Sequence, residues 1–222
     1  MIKTTIIDYD SETFKHYFDA IWDNTKVDNW IKSSILWVID NSKFKQQKRL
    51  DAFLRDQISN PHPLLVAQAQ ALAVYAPNGK FLPNDTVTNI IRWVLKTLKY
   101  QDDLKTYGTT EKWANAVDIL NGKLDDCDGF NSLIMVLCRL AGIPSTKIFN
   151  VIGPTSTEGH YWCVYHCSYR DQSKRVIDKL VVLDGTYFPT TLKVEERPEY
   201  NKLTYYGKPW YIFNDEVCIK PL

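Results

Sequence analysis

Two hydrophobic periodicities follow one another in this chain, and their order constrains the fold more than any other feature. Residues 85–141 carry apolar side chains at helical spacing, and residues 145–219 are rich in β-branched and aromatic residues at strand spacing. Between them stands Ala141-Gly142-Ile143-Pro144, a glycine stop followed by proline. Val87, Ile90, Ile91, Val94, Leu95 and Leu98 make one apolar helical face. Residues 110–120 predict a shorter helix with Trp113, Ala116, Val117 and Leu120 inward. Residues 128–141 predict another, with Phe130, Leu133, Ile134, Leu137 and Cys138 on one side. Strands are predicted over 145–152, 160–169, 175–184 and 211–219, with a turn over 153–159. Helices first and strands afterwards imply an α+β unit, not a βαβ repeat.

Upstream, Phe14, Tyr17, Phe18, Ile21 and Trp22 fall at helical spacing over 11–26, with Ser11 as a plausible N-cap. Further helices are predicted over 30–40, 44–58 and 64–76, with a break at Asn60-Pro61-His62-Pro63. The proline- and glycine-containing stretch 76–85 is the best boundary. It divides a helical N-terminal region, 1–80, from a second unit, 81–222.

Charge narrows the function classes. Among 222 residues, 27 are basic and 26 acidic, a net charge of +1. Such a balance gives no footprint for nucleic acid or an anionic membrane. No stretch approaches the roughly 18 apolar residues of a membrane span. The first residues, MIKTTIIDYDSETFK, lack an apolar run followed by a small-residue cleavage site, so a cytoplasmic location is expected. Five cysteines, an odd number without an export signal, are expected to be reduced.

A reduced thiol can be a nucleophile, and Cys127 sits where the helix over 128–141 should begin. There, free backbone N–H groups favour an anion and could bind an oxyanion. Asp125, Asp126 and Asp128 work against it, because nearby negative charge raises a thiol pKa, so a paired histidine is needed. Along a strand, His160, Trp162, Val164 and His166 share one face, while Cys163 and Cys167 look the other way. The two thiols would stand about 13 Å apart, too far for one tetrahedral zinc ion. If the strand over 176–184 runs antiparallel to this one, its end brings Asp184 near His160. There a carboxylate could hold the imidazole tautomer. This gives Cys127 as nucleophile, His160 as base and acid, and Asp184 as orienter, with His166 as the alternative base. Cys138 reads as core. Trp113 and Asn115 are candidate oxyanion donors, but more simply a core and a helix-surface residue.

The same residues carry a family likeness. Asp126-Cys127-Asp128-Gly129-Phe130, Leu140-Ala141-Gly142-Ile143-Pro144-Ser145, Gly159-His160-Tyr161-Trp162 and Leu183-Asp184-Gly185-Thr186 resemble motifs of the transglutaminase-like superfamily of papain-fold cysteine enzymes. The likeness runs from about residue 84 to 189. Asp125 stands where that family often has glycine. The resemblance implies a papain-like core, a nucleophile helix packed on an antiparallel sheet, with Cys127, His160 and Asp184 as its triad. It also implies acyl transfer through a thioester on peptide or carboxamide bonds, hydrolysis before cross-linking, and a protein or peptide substrate. No cofactor or metal is implied, and no EF-hand-like calcium loop is recognisable. The alternative is a non-catalytic binding module on the same fold.

Overall fold

The structure, a computed structural model, describes residues 50–219. The helices expected over 11–26 and 30–40, and the start of that over 44–58, lie outside the described residues. Helix α1 (Leu50–Ser59) buries Leu50, Leu54 and Gln57. Helix α2 (Pro63–Leu72) opens on Pro63, and the His62 ring accepts from Leu64 N–H. The helix expected over 64–76 stops early because Val74 is engaged elsewhere. Its N–H donates to Thr86 Oγ1 (2.9 Å) and its carbonyl accepts from Leu82 (2.9 Å). Pro77 also favours extended backbone just before it.

Helix α3 (Pro83–Thr97) turns Val87, Ile90, Ile91 and Val94 into the core. Strand β1 (Lys99–Tyr100), the short helix α4 (Asp103–Tyr107), helix α5 (Ala116–Gly122) and strand β2 (Leu124–Asp125) follow. Residues 110–115, expected to be helical, are not. Asp103 accepts from the Lys112 backbone N–H, and the Trp113 ring packs edge-on between Phe53 (5.8 Å) and Tyr161 (5.5 Å). Strand β1 pairs parallel with β2, setting Tyr100 opposite Asp125.

Helix α6 (Cys127–Leu140) is the axis of the molecule. Every residue from Asp128 to Cys138 is buried, as befits a helix surrounded on all sides. Then come β3 (Ile148–Pro154), β4 (Gly159–Arg170), β5 (Val176–Val182), β6 (Tyr211–Phe213) and β7 (Cys218–Ile219). They form an antiparallel sheet in the order β5-β4-β3-β6-β7. The strand expected over 211–219 is two, because Asn214 builds a turn. Its Oδ1 accepts from Glu216 and Val217 N–H, and its Nδ2 donates to the Ser145 and Ile148 carbonyls.

The predicted alternation along β4 is present. Tyr161, Cys163, Tyr165 and Cys167 join Leu133, Ile134 and Leu137 of α6 in the larger core. Trp162 and Val164 join Phe149, Val151, Leu180 and Val182 in a smaller core on the other face, closed by Tyr200 and Tyr206. Leu50, Leu54, Leu65 and Ala69 belong to the larger core together with Val87 and Leu133. Among the described residues, one core therefore runs across the stretch 76–85. The arrangement is α+β, helices gathered around α6 on one face of an antiparallel sheet.

Candidate active site

The register of β4 and β5 decides which side chains meet. Val164 lies opposite Val182, and Leu183 N–H donates to the Cys163 carbonyl (2.8 Å). The next residue, Asp184, therefore comes alongside the start of β4. His160 Nε2 donates to Asp184 Oδ2 at 2.6 Å, with both side chains fully buried. Gly185 makes this approach possible: a Cβ there would lie 2.6 Å from Phe130 Cδ1 of α6. Asp184 is held from every side. Its Oδ1 accepts from Thr186 N–H (2.8 Å), Thr186 Oγ1 (2.9 Å) and Tyr187 N–H (3.1 Å). Its Oδ2 accepts from Tyr206 hydroxyl (2.8 Å) as well as from His160.

The imidazole is enclosed by rings. Trp162 stacks on it at 5.9 Å and Tyr187 stands edge-on at 4.3 Å. The Tyr187 hydroxyl donates to Glu158. With Nε2 committed to Asp184, the remaining ring nitrogen, Nδ1, is buried without a hydrogen-bond partner.

Cys127 is the first residue of α6. Asp126 caps that helix, its side chain accepting from Asp128 N–H (3.1 Å). Asn131, one turn on, donates from Nδ2 to the Cys127 carbonyl and to the Tyr161 carbonyl, both at 2.8 Å. This fork joins the start of α6 to the residue after His160. The Cys127 thiol is pushed well above its ordinary range, by burial first, then by the charges of Asp126, Asp128 and Asp184. The Tyr161 backbone N–H acts in the opposite sense. The structure thus brings His160 and Asp184 into contact and sets Cys127 beside the backbone of Tyr161. His166 is elsewhere, Nε2 on Asp178 Oδ1 at 3.0 Å. Trp113 Nε1 is occupied by Glu111 (2.8 Å), and Asn115 is an exposed helix-cap position. Cys163 and Cys167 are buried on the face of the sheet turned away from the imidazoles.

A second cluster lies against Cys127. One carboxylate oxygen from each of Asp103, Asp125, Asp126 and Asp128 falls within 4.8 Å of the others. Pairing of β1 with β2 assembles it, by carrying the chain that leads into Asp103 alongside Asp125. Tyr107 hydroxyl donates to Asp125 Oδ2 (2.8 Å), while both Asp128 oxygens and Asp103 Oδ1 are buried without a partner. Burial raises Asp103 and Asp125 to about 6; burial, then Asp126, raises Asp128 to about 10. Unpartnered, buried, hard oxygen donors in such number fit a divalent cation of the calcium or magnesium type. Asp125, Asp126 and Asp128 are conspicuous in the sequence, but Asp103 joins them only through the fold. Asn131 and Tyr206 likewise carry no motif of their own, although a polar Asn one turn after Cys127, amid the apolar residues of α6, is a local signal.

Residues 69–174 match the profile of the transglutaminase-like superfamily. No curated protein matches the chain. Among solved structures, LapG of Legionella pneumophila in its calcium-bound form is 18% identical, over 71% of this chain and 74% of that one, with a TM-score of 0.46. Another structure of LapG from the same organism is 16% identical, over 75% and 85%, with a TM-score of 0.47. The profile match spans the helices around α6 and the strands β3 and β4, so this part of the chain is similar to the transglutaminase-like superfamily.

Proposed function

We propose that the chain is a cysteine-dependent acyl-transfer enzyme acting on peptide or carboxamide bonds, hydrolytic in its main activity. Cys127 is its nucleophile, His160 its base and acid, and Asp184 the residue that orients the imidazole. One observation carries this reading: the His160–Asp184 contact leaves the other imidazole nitrogen, Nδ1, buried and unpartnered one residue from the backbone that faces Cys127. Because the thiol is held protonated, the imidazole takes its proton as attack proceeds. Sulfur bonds to the carbonyl carbon, the proton moves to His160 Nδ1 and then to the departing nitrogen, and the amine leaves from a thioester. Water, deprotonated by the same nitrogen, adds to the thioester; the acid leaves and the thiol is restored. An amine in place of water would give a cross-link.

Were a divalent cation bound, Asp103, Asp125, Asp126 and Asp128 would hold it. It would supply positive charge beside the sulfur, opposite in sign to the carboxylates that raise the thiol pKa.

p-Nitrophenyl acetate tests the assignment without a known substrate. Acetylation of Cys127, read by peptide mass spectrometry, is expected in the wild type. It is expected to be lost in Cys127→Ala, to fall by roughly 100-fold or more in His160→Ala, and to fall only slightly in His166→Ala. Acetylation indifferent to His160, or absent from Cys127, would favour a binding module on this fold.

A further inference from the structure

We infer that Tyr206 is a positioning residue of this site, its hydroxyl fixing the Asp184 oxygen that orients His160. The inference rests on the reading of His160 as the base. Among the described residues, Asp184 Oδ2 accepts from two donors, His160 Nε2 at 2.6 Å and Tyr206 hydroxyl at 2.8 Å. The other oxygen, Oδ1, is anchored within the turn 184–187. Anchoring Oδ1 fixes one end of the carboxylate; rotation about that end is restrained by what Oδ2 touches. Tyr206 is therefore the one residue besides His160 that sets where Oδ2 lies, among the described residues.

Tyr206 is itself built in. It pairs across an isolated bridge with Thr155, just beyond the end of β3. Ser156 N–H donates to the Tyr205 carbonyl (3.1 Å) and Gly207 N–H to the Pro154 carbonyl (2.7 Å), which clamps the segment on both sides. Its ring lies 4.9 Å from Trp162 and 6.4 Å from His160. Burial, then Asp184, holds the phenol far above its ordinary range, so it remains a donor wherever the protein is folded. Besides Tyr206, the polar and charged groups about the His160–Asp184 pair among the described residues are Thr186, whose N–H and hydroxyl both go to Oδ1, Tyr187, Glu158 behind it, Cys127, and Arg197. The guanidinium of Arg197 is buried against the Val182 and Thr190 carbonyls. None of these donates to Oδ2. The arrangement divides the Oδ2 charge between two donors, tempers the pull on Nε2–H and keeps the ring turned so that Nδ1 faces away from Asp184.

Tyr206→Phe removes the hydroxyl and keeps the ring that packs on Trp162. The full-length chain is compared by proton–nitrogen NMR of the imidazole, with the His160 Nε2–H resonance identified by its loss in His160→Gln. In Tyr206→Phe that resonance is expected to move downfield, because Oδ2 then offers its charge to one donor, and acetylation of Cys127 by p-nitrophenyl acetate is expected to slow about fivefold. Tyr205→Phe, whose hydroxyl reaches Thr157 and not Asp184, is expected to leave the resonance in place. A hydroxyl that serves only the packing would change thermal stability without moving His160. A His160 resonance in Tyr206→Phe unmoved from its wild-type position overturns the inference. A wild-type chain whose Cys127 is never acetylated overturns the nucleophile reading instead, and the resonance still decides the part played by Tyr206.

Discussion

Gly129 shows how far one side chain governs this site. It is the third residue of α6, and a Cβ there would run into the Asp125 carboxyl group. Gly129→Ala therefore forces either Asp125 or the first turn of the helix to shift, and both flank Cys127. We expect a loss of about 1–3 kcal/mol in urea unfolding, the range of a contact overfilled in a packed interior. Cys127 acetylation should fall with it. A variant as stable and as reactive as wild type would show that Asp125 moves aside freely and that its place beside Cys127 is immaterial. Gly129 is visible in the sequence as part of Asp126-Cys127-Asp128-Gly129-Phe130, but its role is not. Only the fold shows that the space it leaves is filled by a carboxylate four residues earlier.

Among the elements, α6 holds Cys127 and β4 holds His160, and Asn131 is what ties one to the other. Its two donated bonds reach the carbonyls of Cys127 and Tyr161. Replacing Asn131 by Ala removes both bonds, leaving the Cys127 carbonyl to the helical backbone N–H alone and depriving the Tyr161 carbonyl of its side-chain donor. The expected cost is about 2–4 kcal/mol by denaturant unfolding, with slower acetylation of Cys127. Retention of both stability and rate would mean that packing alone sets the spacing of α6 and β4. The elements themselves were largely legible. The switch from helical to strand spacing at Gly142 located α6 and the sheet, and alternation along β4 assigned Trp162 and Cys163 to opposite faces. Expected elements failed where polar side chains compete for the backbone. Asp103 takes the Lys112 N–H and keeps 110–115 out of a helix, Thr86 takes the Val74 N–H and ends α2, and Asn214 folds a turn into the last strand. The first two join residues 9 and 12 apart and the third residues only two apart, but all run through side chains, and hydrophobic periodicity reports none of them.

At the scale of the whole molecule, the acidic cluster is the feature the chain could not reveal in sequence, since Asp103 and Asp125 meet only when β1 pairs with β2. Its consequence is a stability that depends on pH and on cations together. Asp103 and Asp125 are raised to about 6, and Asp128 to about 10, each by burial first. These carboxyls hold a proton more tightly folded than unfolded, where an Asp titrates near 3.9. Their favourable contribution is complete below about pH 4 and is lost as the pH rises through 6 and on towards 10. Without divalent cations, the melting temperature should therefore fall between pH 5 and pH 8. A cation binds the ionised cluster and opposes that loss. Calcium at 100 times its dissociation constant adds about 2.7 kcal/mol, roughly 5–10 °C for a chain of this size, at pH 7.5 and much less at pH 5. Asp128→Asn removes a buried carboxyl that must keep its proton in the folded chain at neutral pH but ionises in the unfolded one. It should raise the cation-free melting temperature at pH 7.5 and weaken the response to calcium. A melting temperature at pH 7.5 that neither calcium nor magnesium moves, in a chain that still loses stability between pH 5 and pH 8, would leave the four aspartates as a proton-binding cluster alone. The charge that raises the Cys127 thiol would then be relieved by protons and by His160, not by a metal.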